Sequence, residues 1–149
     1  MAAGFALSPL VAAVLSACSR NNGWPEGMAE IKWDRDTCVR CSMVISDRRF
    51  AAQLRGGEKD TVFKFDDIGC AAFWMRDKAK EYPWLNQTET RIWVADIHST
   101  GDKWLDARKA NYVGGKTSPM GYNQAAIAYP EAGAFDFADM RQHVLAKGK

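Results

Sequence analysis

The chain is poor in histidine. Only His98 and His143 occur in 149 residues, and neither stands in a zinc-protease pattern. No Ser-His-Asp arrangement and no glycine-rich phosphate loop is present, so nothing in the residue order indicates catalysis. An excess of one charge is also missing. Twenty Lys and Arg stand against 18 Asp and Glu, a formal charge of +2, with the two signs interspersed. That leaves no basic stripe for a phosphate backbone and excludes nucleic acid as an expected partner. The apolar run at residues 5–17 contains Pro9 and is too short to cross a bilayer. What is present is ordinary for a globular fold: 47% apolar residues and a mean hydropathy of −0.34. Residues 18–149 suffice for one domain or two very small ones.

Residues 1–17 carry no charged side chain and read as the apolar part of a secretory signal. Leu15-Ser16-Ala17-Cys18 resembles a bacterial lipobox, in which small residues fit a peptidase cleft and the Cys takes the lipid. Cys18 is thus the expected lipidation site and mature N-terminus. The expected location is the bacterial cell envelope, anchored by lipid to a membrane facing the periplasm. Such signals open with Lys or Arg, whereas the first basic residue here is Arg20, which points to a start upstream of Met1. Residues 18–30, with Asn-Asn-Gly, Trp-Pro and Glu-Gly, read as a tether. Three cysteines remain: Cys38, Cys41 and Cys70. Outside the cytoplasm thiols tend toward disulfides, and an odd number leaves at least one free.

Residues 38–43, Cys-Val-Arg-Cys-Ser-Met, concentrate the chemistry: two thiols and a thioether at close spacing. Soft sulfur donors of both kinds favour Cu(I) over Zn, Mg or Ca. In an extended segment Cys41 and Met43 leave the same face, and both sulfurs reach one ion. Cys38 reads as a further ligand, a resolving thiol, or a partner of Cys41 in a bridge. The Cys-x-x-Cys spacing also fits a thiol–disulfide oxidoreductase. That chemistry needs a helix starting at the first Cys, whereas residues 43–46 and 50–55 read as strands. A lipid-anchored interaction module without metal is the remaining alternative. Cys70, beside Ala71 and Ala72, reads as a small buried hydrophobe, and Met75 as core. His98 reads as solvent-facing or structural, with an extra copper donor as the alternative, and His143 as surface. The six tryptophans read as core bulk that also shields a soft metal from water.

Residues 50–55 and 61–65 read as a hairpin joined through Gly56-Gly57-Glu58-Lys59-Asp60. Asp66 or Asp67 then caps a helix whose core face is Ile68, Ala71, Ala72 and Met75. Residues 91–98 and 103–107 form a second hairpin, 111–113 lead into Gly114-Gly115, 123–129 read as a strand, and 135–137 as a short strand. Residues 138–146 read as a final helix. Residues 63–68 are similar to 135–140, and Met43 precedes an apolar segment as Met120 does. The expected fold is therefore a small α+β domain over 31–149, of two related halves at about 38–85 and 115–149, each a β-hairpin or short sheet plus one helix. Met120, between Pro119 and Gly121 and equivalent to Met43, becomes the third candidate ligand.

Cys38-Val-Arg-Cys41-Ser-Met43, Phe65-Asp66-Asp67-Ile68-Gly69-Cys70, Trp104-Leu105-Asp106-Ala107 and Ser118-Pro119-Met120-Gly121, in this order, resemble the NosL family. These are copper-binding lipoproteins of nitrous oxide reductase maturation. The resemblance implies two related halves, Cu(I) held by Cys41, Met43 and Met120, and delivery of copper to apo nitrous oxide reductase beside membrane-bound copper-assembly factors. The family pattern has Gly after the second Cys; here it is Ser42.

Overall fold

The protein is described by a computed structural model over residues 23–148. The expected signal peptide at 1–17, the lipidation site Cys18 and residues 18–22 of the expected tether lie outside the described residues.

Strands β1 (Ala52–Gly56) and β2 (Thr61–Phe65) form the first hairpin, with Gly56 opposite Thr61. Its turn needs a left-handed residue at each end, and Gly57 (φ 75°) and Asp60 (φ 51°) supply them. Strands β3 (Arg91–Ala95) and β4 (Trp104–Asp106) form the second. The four make one antiparallel sheet in the order β2-β1-β3-β4. Helix α1 (Ile68–Asp77) follows β2 directly and packs on β1 and β2. Its expected face is buried: Ile68, Ala71, Ala72 and Met75 are each at most 2% exposed. Burial of Ile68 and Met75 contributes about 1.5–3 kcal/mol apiece, and the two alanines let the helix approach the sheet.

On the opposite face of β1 from Ala52 and Leu54 stands Gln53, wholly buried. Its amide donates to the Ala29 carbonyl and accepts from the Ala29 N–H, both at 2.8 Å. Residues 24–30, expected to be tether, thus lie along the sheet. Trp24 packs against Trp33 and Trp104, with ring centroids 6.2 and 5.4 Å away. Met28 is buried, the Gly27 carbonyl accepts from Arg55, and that of Glu30 accepts from Lys64. A backbone crossing a sheet needs its polar groups satisfied, and side chains reaching up from the strands do this.

Strands β5 (Asn111–Val113) and β6 (Ala125–Ile127) form a two-stranded sheet. It adjoins the first through a parallel bridge between Asp96 and Ala126. Helix α2 (Phe137–Ala146) packs on β5 and α1, so both helices share one core with the sheets. The architecture is α+β, each sheet carrying one helix, as expected.

Two local expectations differ. Residues 135–137 are not a strand: Phe135 makes a single bridge to Tyr112 and Phe137 already begins α2. Asp136 explains this, because its carboxylate caps the helix at Asp139. Residues 123–129 are strand only over β6 (Ala125–Ile127), with Met120 ahead of β6 and Met43 ahead of β1.

A thiol cluster at the start of the first helix

Residues 37–44 form a tight turn closed by a bridge between Thr37 and Val44. The Cys38 N–H donates to the Met43 carbonyl at 2.8 Å, and the Ser42 N–H to the Cys38 carbonyl at 2.9 Å. Ser42 sits at φ 66°, left-handed and costly for a residue with a Cβ. The segment is therefore not extended, and the expected same-face placement of Cys41 and Met43 does not apply. No helix starts at Cys38, and residues 43–46 make one bridge rather than a strand. Val39 ties the turn to the main sheet, its N–H donating to the Lys64 carbonyl at 3.0 Å.

The turn hangs its cysteines over the N-terminus of α1. There Asp67 is the cap, accepting from the Gly69 N–H at 2.9 Å. Asp66 is thereby released from capping, and it faces the thiols. One ligand atom from each of Cys38, Cys41, Asp66 and Cys70 lies within 4.8 Å of all the others. Cys38, Asp66 and Cys70 are buried, while Cys41 is partly exposed. The Cys41 thiol donates to Asp66 Oδ1 at 3.4 Å. Asp66 Oδ2 is buried without a hydrogen-bond partner, a costly state for a carboxylate oxygen and one that a cation would relieve. All three cysteines are free.

The cluster shares its protons unequally. A hydrogen bond from Cys70, against the cost of burial, lowers the Cys38 thiol to about 7. Burial raises Cys41, as does its neighbour Cys38. Cys70 is raised chiefly by the hydrogen bond to Cys38, then by burial. Of the three thiols, Cys38 is the one whose surroundings favour loss of the proton. Arg40 supplies a nearby cation. Its guanidinium lies 4.4 Å from the Phe73 ring centroid, donates to the Tyr122 hydroxyl at 2.8 Å, and is hydrogen-bonded to Cys70.

The backbones of the candidate methionines adjoin this group. Met43 is 45% exposed on the rim of the turn. Met120 is partly buried against the core, and its N–H donates to Asp67 Oδ2 at 3.2 Å. The structure thus brings Cys38 and Cys41 together as expected and adds two residues that the sequence reading assigned elsewhere. Cys70 was expected as a plain hydrophobe and Asp66 only as a possible cap. A signal existed for both. One helix start needs one cap, so of two consecutive Asp one is spare, and Cys70 stands in the first turn of the helix that follows them. His98 and His143 are exposed, as expected.

Three sulfurs suit a soft cation, and Cys together with Asp oxygen also suits Zn(II). Among the described residues no helix is long and apolar enough to cross a membrane.

The family model of NosL matches residues 30–143. The crystal structure of the copper chaperone NosL from Shewanella denitrificans is similar in fold, with a TM-score of 0.54 at 20% identity. The likeness covers 82% of this chain and 89% of that one. Among curated proteins there is no match.

Proposed function

The chain belongs to the NosL family, and from that premise we propose that it is a copper-binding chaperone that holds Cu(I) and passes it to an apo cuproenzyme, nitrous oxide reductase being the client the family suggests. The observation that carries the reading is the group of three thiols and one carboxylate oxygen within 4.8 Å at the edge of the fold. Cys41 and Met43 offer a thiol that gives up its proton on binding metal and a thioether where solvent reaches them, and Met120, tied by its N–H to Asp67, a second thioether. Cys38 and Cys70 stand behind as buried sulfurs. Copper, the cargo, is held by soft donors and leaves by ligand exchange at Cys41, the one thiol of the three that an incoming ligand reaches without opening the core. Lipid on Cys18, ahead of residue 23, keeps the protein at the periplasmic face of a membrane, close to membrane-bound assembly factors.

Titrating the full chain, reduced and anaerobic, with Cu(I) against a competing chelator tests this. We expect one tightly held ion per chain and weaker binding in Cys41→Ser, Met43→Ala and Met120→Ala. A reduced protein that leaves all Cu(I) with the chelator would overturn the reading, and Zn(II) in parallel shows whether the carboxylate sets the preference. Transfer to apo nitrous oxide reductase tests the client, and fatty-acid labelling of wild type against Cys18→Ser tests the anchor.

A thiol–disulfide oxidoreductase using Cys38 and Cys41 keeps one observation in its favour, the lowered Cys38 thiol. The turn at 38–41 lacks the helix such enzymes use to stabilise their thiolate. Reduction of insulin by dithiothreitol, with and without the protein, decides it: unaltered turnover removes this reading.

A further inference from the structure

A helix cap requires one carboxylate oxygen, and Asp67 uses Oδ1 for it, accepting from the Gly69 N–H at 2.9 Å. Its second oxygen is surplus to capping, yet it is fully employed. Oδ2 accepts the Ser118 hydroxyl at 2.6 Å and the Met120 N–H at 3.2 Å. Both donors come from a segment more than fifty residues away in sequence. That segment is a closed turn in its own right. Ser118 Oγ accepts from the Asn123 N–H at 2.8 Å, Asn123 Oδ1 accepts from the Ser118 N–H at 3.1 Å, and Asn123 sits at φ 60°. A small rigid turn is thus hung on a single oxygen. Asp67 is 0% exposed and Ser118 5%, so water does not stand in for either. The residue before Asp67 belongs to the thiol cluster, and so does Cys70, three residues after it.

We propose that Asp67 is a positioning residue for the metal site: through Oδ2 it holds the backbone of Met120 against the start of α1, so that the thioether reaches metal bound at the cysteines. This rests on the reading of Met120 as a copper ligand. A role in stability alone leaves the second oxygen's choice of partners unexplained, because the Ser118–Asn123 pair already closes the turn. The backbone N–H of the one residue with a soft side chain is the group Asp67 adds.

Asp67→Asn separates the two oxygens. The amide oxygen keeps the Gly69 cap, and the NH2 then meets the Met120 N–H donor to donor, releasing it. Three readouts apply to the full chain: Cu(I) affinity by chelator competition, the number of sulfur neighbours of copper by X-ray absorption, and thermal unfolding without metal. We expect Asp67→Asn to weaken Cu(I) binding by about tenfold and to remove one sulfur from the count, matching Met120→Ala. In a Met120→Ala background it costs no further affinity. Ser118→Ala, which keeps the cap and the Met120 bond but gives up both the Asp67 and the Asn123 bonds of its hydroxyl, acts in the same direction by about threefold and guards against poor folding of Asp67→Asn. Wild-type affinity and sulfur count in Asp67→Asn, with Met120→Ala impaired, would overturn the positioning role while sparing Met120 as ligand. A further tenfold loss in the double variant would also overturn it. An unimpaired Met120→Ala would sink the ligand reading, and the positioning role with it.

Discussion

The two helices begin alike and are used differently. Each is ten residues long, and each is capped by an Asp whose carboxylate accepts a backbone N–H of the first turn. Negative charge at the positive end of a helix is favourable in both places. Asp136 stands exposed and accepts from Asp139 alone. Asp67 is buried, accepts three donors and borders a carboxylate that is one bond short. The same local device therefore finishes a helix at one end of the chain, and at the other assembles three segments around soft donors. Burial makes the difference, since an exposed cap has water for its second oxygen and a buried one must find protein donors.

Removing each cap gives the widest contrast. Asp67→Ala orphans two buried donors and one part-buried donor and should cost about 3 kcal/mol in urea unfolding of the metal-free protein. The comparison breaks if Asp136→Ala, expected near 1 kcal/mol, costs as much. Cys70→Ser sharpens the chemical side: Cu(I) affinity should fall by about 100-fold, or about 2.7 kcal/mol, with unfolding little changed. Retained affinity would return Cys70 to the plain core. Ser42→Gly relieves a left-handed residue in the turn that faces α1, and should raise stability by about 0.5–1 kcal/mol with copper affinity intact. The smallest effect is acid-dependent. Hydrogen bonds from Arg49 hold the Asp47 carboxyl below its ordinary value of 3.8. Its stabilisation is present above that value and is lost as the pH falls through the lower, folded-state value. Because Arg49 is half exposed, the loss is about 0.5 kcal/mol or less and shrinks in salt, and Asp47→Asn should abolish it in acid unfolding curves.

What the sequence made legible was local. The Gly-Gly-Glu-Lys-Asp turn and the 3.6-residue spacing of Ile68, Ala71 and Met75 both act within a few residues, and the structure follows them. Cys38 and Cys41 were legible because they are neighbours. Cys70 was not, since its role depends on a turn thirty residues earlier, and alone in an apolar helix it is indistinguishable from core. Which of Asp66 and Asp67 caps is settled by the donors at Ser118 and Met120, which no local pattern contains. Extended backbone at 41–43 was expected from side-chain chemistry, and the φ of Ser42 decided otherwise. Residues 24–30 read as linker by their Gly and Pro, whereas Trp24, Met28 and the Gln53 amide fasten them down.

That fastening has a mechanical consequence. A tug arriving at residue 23 meets the Trp24 rings first, then the Gly27 carbonyl, the paired Ala29 amide and the Glu30 carbonyl, each fixed to a different side chain of the sheet. The grips lie in series, so they yield one at a time, like a strip peeled from its backing. Strain entering at residue 23 thus meets all of these grips before it meets Cys38.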